Sequence, residues 1–299
     1  SELVSGSLFY NRNYLKDQIL VFTGFRHDRG DEYQCSGRFL IDRAEIIDKA
    51  TVQIFCRSLL RETTDKTLGE PVDLVFPGQW KVKDLIEALL TEYKGDPCAG
   101  LNAEDLFIED YDRLFSNVTI ESKSISSVLG NIAQACDGVI YATHQGDIYF
   151  RTWDNMTRHS LATGVTLSLD MNTQNVRYIG QRRDRLVQKA TVTGIDLVNG
   201  SCVVEGGYGK TITIDNEYIQ KSTWAQDIAD KIITRYNDEQ SELTIGAVYL
   251  PSLKLLDTVK VTEHFSGLSG DFFLINKISK NILGHTETYD LTSNLAKEP

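Results

Sequence analysis

Apolar residues recur at Ile125, Val128, Leu129, Ile132, Ala133 and Cys136, a three-and-four spacing that predicts one face of a helix. Ser124 stands before this run with a side-chain oxygen suited to an N-cap. Asp137-Gly138 stands after it with a residue suited to a left-handed C-cap. The period then changes. Residues 139–142 and 148–151 are rich in β-branched and aromatic side chains, and His144-Gln145-Gly146-Asp147 between them reads as a turn, so a hairpin is predicted. A helix feeding directly into a hairpin makes a packed α/β unit of residues 124–153, near the middle of the chain.

The segments on either side read mainly as β. Residues 17–25 predict a buried strand closed by a glycine, and residues 33–43 a second strand in which Gly37 marks a bulge or corner. Residues 50–57 alternate Val52, Ile54 and Cys56 against Thr51, Gln53 and Phe55, a third strand. Short strands at this spacing predict a sandwich or barrel. Residues 61–70 are polar, residues 71–78 a loop or short strand with a turn at Pro77-Gly78, and residues 80–93 a helix burying Val82, Leu85, Ile86, Leu89, Leu90 and Tyr93. Lys94-Gly95-Asp96-Pro97 stops that helix, and residues 101–115 are acidic and partly amphipathic. Beyond Trp153, strands are predicted at 165–170, 187–197, 201–205, 211–215, 243–250, 255–262, 271–282 and 285–292. A helix at 223–236, capped by Ser222, buries Ala225, Ile228, Ala229, Ile232, Ile233 and Tyr236.

A chain of 299 residues, 41% hydrophobic and 24% charged, has the makeup of a globular protein of two or three domains. Its net charge of −11 argues against binding nucleic acid by broad phosphate neutralisation. No run approaches the ~18 apolar residues of a membrane span. Cys35, Cys56, Cys98, Cys136 and Cys202 are odd in number, scattered and without a CxxC pair, which reads as reduced and mostly buried thiols.

Each group with chemical potential has a plainer reading. Gly206-Gly207-Tyr208-Gly209-Lys210-Thr211 ends like a phosphate-binding loop. But Val204 stands where the first glycine of such a loop belongs, and a strand follows where a helix should, so a hairpin turn is predicted. His27, His144, His159, His264 and His285 form no i, i+4 pair and neighbour no cysteine, so no metal is expected. Asp105, Glu109, Asp110 and Asp112 crowd a polar segment as a solvated helix face or loop, rather than as the flanking carboxyl pair of a glycosidase. Gly267-Leu268-Ser269-Gly270 reads as a hairpin turn. Gln181-Arg182-Arg183-Asp184-Arg185 with Lys189 is the only basic cluster, and Arg182, Arg183 and Arg185 suit either a contact to an acidic patch of another subunit or an exposed linker. No catalytic residue and no cofactor is expected.

Four passages together resemble the baseplate or tail hub proteins of tailed phages, the late control D proteins and the N-terminal part of tail-associated lysins. They are residues 19–41 with Gly24 and Gly37-Arg38-Phe39; residues 125–150; Trp224 to Tyr236; and the ending through Leu255-Leu256-Asp257-Thr258-Val259, 272–280 and 285–291. The resemblance implies an α+β, mainly β chain with two β-barrel-like tube modules around a helix-containing middle domain. Residues 1–62 would be the first module, completed by strands near 165–200, residues 63–165 the middle domain, and residues 166–299 the second module with its one helix. It further implies a homotrimeric virion protein at the phage tail tip, assembled in the host cytoplasm. Its partners would be distal tail or tail tube protein, tape measure protein and tail fibre or tip proteins, and DNA would meet it only in transit through a neutral or acidic bore. Two rivals stand beside this reading. A tail-associated peptidoglycan hydrolase would use carboxylates such as Asp105 and Glu109. A carbohydrate-binding adhesin module would need an exposed aromatic platform, for which Tyr141, Tyr149 and Trp153 are the candidates, although their place in the hairpin predicts packing against the helix.

Overall fold

The protein is described by a computed structural model over residues 18–27, 30–47, 52–58, 72–91, 104, 106–143, 146–159, 166–168, 173–179, 186–203, 208–237, 242–248, 253–263, 268–281 and 286–292. It is α+β and mainly β. The first three strands, β1 (Gln18–His27), β2 (Gly30–Ile46) and β3 (Val52–Ser58), form an antiparallel sheet in that order. Val21 pairs with Gly37 and Phe22 with Cys35, which leaves Ser36 as the extra residue of a bulge beside the glycine that announced it.

The next elements are β4 (Val72–Lys81), α1 (Val82–Thr91), β5 (Leu106–Ile108), β6 (Leu114–Lys123), α2 (Ile125–Ala135), β7 (Gly138–Ala142), β8 (Ile148–Thr152) and α3 (Trp153–His159). Strand β4 pairs with β6, and β8 lies between β5 and β7. The expected helix and hairpin are present. The Ser124 side chain accepts from the Ser127 amide at 3.2 Å, and all six residues of the expected apolar face are buried. The left-handed residue at the C-terminus is Asp137, with φ 50°, not the glycine after it. Gly138 is needed for a different reason: a Cβ there would lie 2.7 Å from the Arg151 carbonyl oxygen and 2.9 Å from the Phe150 ring.

Several expectations are corrected in this region. The helix expected over 80–93 begins at Val82, and Trp80 belongs to β4. Pro77-Gly78 is a bulge inside that strand, with Gly78 at φ 81° and its amide donating to Asn117 Oδ1 at 2.8 Å. Strand β6 has no counterpart in the hydropathy pattern. Asn117 and Ser122 adopt φ of 46° and 50°, so burial falls at Phe115, Val118 and Ile120 instead of alternating.

Strands β9 (Thr166–Ser168) and β10 (Thr173–Ile179) are followed by β11 (Val187–Thr193), β12 (Asn199–Val203), β13 (Lys210–Asp215), α4 (Ser222–Asn237), β14 (Glu242–Val248), β15 (Thr258–Glu263), β16 (Leu268–Asn281) and β17 (Thr286–Thr292). The hairpin expected around the Gly206–Thr211 run is not formed. Strand β11 lies between β12 and β13, antiparallel to the first and parallel to the second. Gly209, at φ 155°, lets the chain pass 2.4 Å (as a Cβ distance) from the Leu186 carbonyl oxygen. Leu268 to Gly270, expected as a turn, is the start of β16. Gly270 at φ 82° is the extra residue opposite Val261 and Thr262. Residues 255–257 are a hydrogen-bonded turn before β15, closed by Asp257 Oδ2 accepting from the Lys254 amide at 2.8 Å.

Two apolar cores result among the described residues. One gathers α1, α2, β6 and β8 with α4 and β11, so the helix at 222–237 packs with the helix at 125–135. The other fills one face of the six-stranded sheet β10-β14-β17-β16-β15-β9, through alternate residues such as Leu243, Ile245 and Ala247.

Candidate interaction surfaces

Strand β1 was expected to be buried, and its described side chains are not. Leu20 is 54% exposed, Phe22 56% and Tyr33 on β2 63%. Residues paired across an antiparallel ladder share a face. Leu20 pairs with Arg38, Phe22 with Cys35 and Gly24 with Tyr33, so the three exposed side chains form one apolar row beside the Ser36 bulge. Alternation reports that a strand has an apolar side. It does not report whether the same chain covers that side. Exposed apolar rows on a sheet mark association surfaces more often than inert ones.

In the larger core, α2, α4, β7 and β13 surround a cavity of about 450 Å³, walled by Leu129, Ile140, Ile214 and Ile232 and by one ion pair. That pair is Asp137 with Arg235, whose guanidinium also lies 4.8 Å from the centre of the Trp153 ring. The Asp137 carbonyl accepts from the Trp153 amide at 3.0 Å. Burial pushes the Asp137 carboxyl above the usual range, and the pull of Arg235 only partly offsets it. The group ties α2, α3 and α4 together.

Of the acidic segment the structure describes Glu109, Asp110 and Asp112. Glu109 is half-buried, and its oxygens accept from the Thr152 amide at 2.8 Å, from Thr152 Oγ1 at 2.9 Å and from Asn155 Nδ2. It is a clamp between the end of β5 and the start of α3. Asp110 is exposed, 3.5 Å from Lys81, and Asp112 is exposed. Asp105 lies outside the described residues.

The aromatic residues of the hairpin are also placed differently from expectation. Ile148, Phe150 and Thr152 of β8 point into the core, so Tyr149 points to the opposite face. There it stacks on Tyr141 of β7 at 5.5 Å and on Phe107 of β5 at 4.7 Å. Tyr141 and Tyr149 therefore form a ladder across the sheet rather than packing on α2, whereas Trp153 does line the cavity beside α2. Phe107 was missed because its strand has three residues, too few for a period to show.

Arg182, Arg183 and Arg185 lie outside the described residues, as do Cys98, His144, His264 and His285. Among the described residues no group of three or more His, Cys, Asp or Glu converges as metal ligands would, and no helix is long and apolar enough to cross a membrane. The thiols are less buried than expected: Cys136 is buried, Cys35 and Cys202 are half-buried and Cys56 is exposed. Burial pushes the Cys136 thiol up to about 12. Only the thiolate alkylates, so at about pH 8 Cys136 should stay unmodified in the folded chain while Cys56 is labelled. Peptide mapping after iodoacetamide checks this, and labelling of Cys136 at the rate of Cys56 would contradict its place in the core.

No protein-family model matches the sequence, and none of the curated proteins matches it. Solved structures do. The chain is similar to a tail protein from Neisseria meningitidis MC58, with a TM-score of 0.62 and 12% identity over 88% of this chain and 82% of that one. It is similar to the 43 kDa tail protein of prophage MuSo2 from Shewanella oneidensis, with a TM-score of 0.58 and 14% identity over 92% and 89%. It is also similar to the prophage tail protein gp18 from Listeria monocytogenes EGD-e, with a TM-score of 0.54 and 13% identity over 88% and 78%. The chain is thus α+β and mainly β, as the resemblance in sequence pattern implies, and shares its fold with tail proteins over most of both chains. At these identities no residue's role carries over with it.

Proposed function

We propose that the chain is a structural virion protein of a phage or phage-like tail, and within it the hub at the tail tip, which closes the tail tube and opens for DNA passage. The observation that carries this reading is the fold shared with three tail proteins over 88–92% of the chain. In this reading the first sheet, within residues 1–62, and the six-stranded sheet, within 166–299, supply two tube modules. Residues 63–165, with β11–β13 and α4 packed on them, form the part that hangs between. The chain is a homotrimer, and its partners are the distal tail or tube protein, the tape measure protein and tip or fibre proteins. It works without catalysis, in the virion, after assembly in the host cytoplasm. The exposed row Leu20, Phe22 and Tyr33 supports self-association, because a lone sheet with such a face is exposed to uncontrolled pairing unless a partner covers it.

Native mass spectrometry of the purified chain tests the reading. A trimer is expected, and Phe22→Asp should convert it to monomer, because a buried unpaired carboxylate in each interface costs several kcal/mol, enough to lower association by more than about a hundredfold. A wild-type chain that stays monomeric and fails to bind tail tube protein would overturn the hub assignment, as would particle imaging that places it off the tail axis.

A further inference from the structure

Along the outer edge of β5 runs an open cleft of about 720 Å³ that the tail reading leaves without a role. We infer that this cleft binds an acidic saccharide, a sugar chain bearing carboxylates, with Phe107 as its stacking platform.

Phe107 is 46% exposed, yet its ring is held by stacking on Tyr149 with an interplanar angle of 11°. Tyr149 is held in turn by Tyr141 at 15°. The platform is therefore already ordered, and a ligand has little ring freedom left to remove. The face of an aromatic ring carries partial negative charge and suits the polarised C–H groups on the flat side of a pyranose. Around the platform stand Lys83 from α1 and Arg151 from β8, the latter with its guanidinium 4.7 Å from the Tyr149 ring centre. Among the described lining residues the one carboxylate, Glu109, is already engaged by Thr152 and Asn155. Lys83 lies 3.9 Å from Glu87 one turn on, so the cleft offers Arg151, and a Lys83 shared with Glu87, to a ligand in a chain whose net charge is −11. A guanidinium fork matches a carboxylate in two directions at once, which a neutral sugar cannot exploit.

Two other occupants fit less well. A single-stranded nucleic acid would stack a base on the same ring, but such strands are held by successive aromatic platforms along a basic groove, and the described lining offers one exposed ring. A peptide strand adding to the edge of β5 would find only three residues to pair with, and the amide that follows, of Glu109, already donates to the Phe150 carbonyl at 3.1 Å.

Isothermal titration of the full chain with an oligogalacturonate, a maltooligosaccharide of equal length and a thymidine oligonucleotide tests the inference. The oligogalacturonate should bind saturably. Phe107→Ala should weaken it about tenfold or more, and Arg151→Gln should remove the preference over the neutral sugar. Phe107 is about half exposed and its variant loses the stack on Tyr149, so its thermal midpoint should fall by only a few degrees with a cooperative transition kept, and that control separates a lost platform from a lost fold. No saturable binding of the oligogalacturonate, equal binding of the neutral sugar, tighter binding of the oligonucleotide, or binding unchanged by Phe107→Ala would each overturn the inference. The oligomeric state, measured in the same samples, bears on the tail reading and not on this one.

Discussion

Phe150→Ala is expected to lower the unfolding free energy of the larger core by about 3–5 kcal/mol, read as a fall in the urea midpoint with little change in slope. Phe150 is fully buried at the centre of a three-stranded sheet, paired with Ile140 on one side and Ile108 on the other. Its ring occupies the space that Gly138 leaves by having no Cβ. The site cannot collapse onto the loss. The backbone at Gly138 is already held against Arg151 by the sheet, and α2 is anchored above by its own capped end, so the truncation leaves a cavity rather than a repacked core. Phe150→Leu retains most of the volume and should cost less than about 1.5 kcal/mol. Equal effects of the two substitutions would show that the cavity is not what the loss measures.

The parts of this core that were legible in the sequence share a physical property: their signal is local. Helix α2 puts its apolar residues on one face and its cap oxygen one residue ahead, and both lie within a dozen residues. The hairpin after it is legible for the same reason. What was illegible depends on partners distant in sequence. Strands β12 and β13 look like two arms of a hairpin because a glycine run joins them, yet both pair with β11. The constraint that decides this is the packing of β12 on α4, where a Cβ on Gly200 would lie 2.3 Å from the Gln226 amide nitrogen. Strand β6 was hidden by two left-handed residues that broke its alternation. The surfaces follow the same rule. Leu20 and Phe22 were read as core because a strand's pattern is the same whether its own chain or another covers it. The Phe107 platform exists only once β5, β8 and β7 lie side by side. The acidic segment was read as a solvated helix face or loop, and the clamp role of Glu109 needed Thr152 and Asn155, which are distant in sequence.

Asp227→Ala is expected to cost about 3 kcal/mol, although Asp227 itself is part-exposed. The reason lies in its partner. Arg113 is 5% exposed, its Nη1 donates to the Ala135 carbonyl at the end of α2, and its Nη2 donates to Asp227 Oδ2 at 2.6 Å. The guanidinium also lies 5.3 Å from the Tyr111 ring centre and 5.2 Å from that of Trp224. Removing the carboxylate strands a buried cation, a loss of ~3–5 kcal/mol in comparable pairs. The lower end applies here, since the vacated carboxylate position is 39% exposed and admits water to Nη2. Arg113→Met removes the charge, keeps a flexible apolar stem between the two rings, and leaves Asp227 with Lys231 at 3.3 Å. Its remaining cost is the unpaired Ala135 carbonyl, about 1–3 kcal/mol. In the double variant nothing charged is left stranded, so most of the Asp227→Ala penalty should vanish, a coupling of about 2 kcal/mol or more. Denaturant unfolding of the two single variants and the double variant measures that coupling. Strict additivity would mean that Arg113 is solvated in the folded chain and that the pair does not hold α2 to α4.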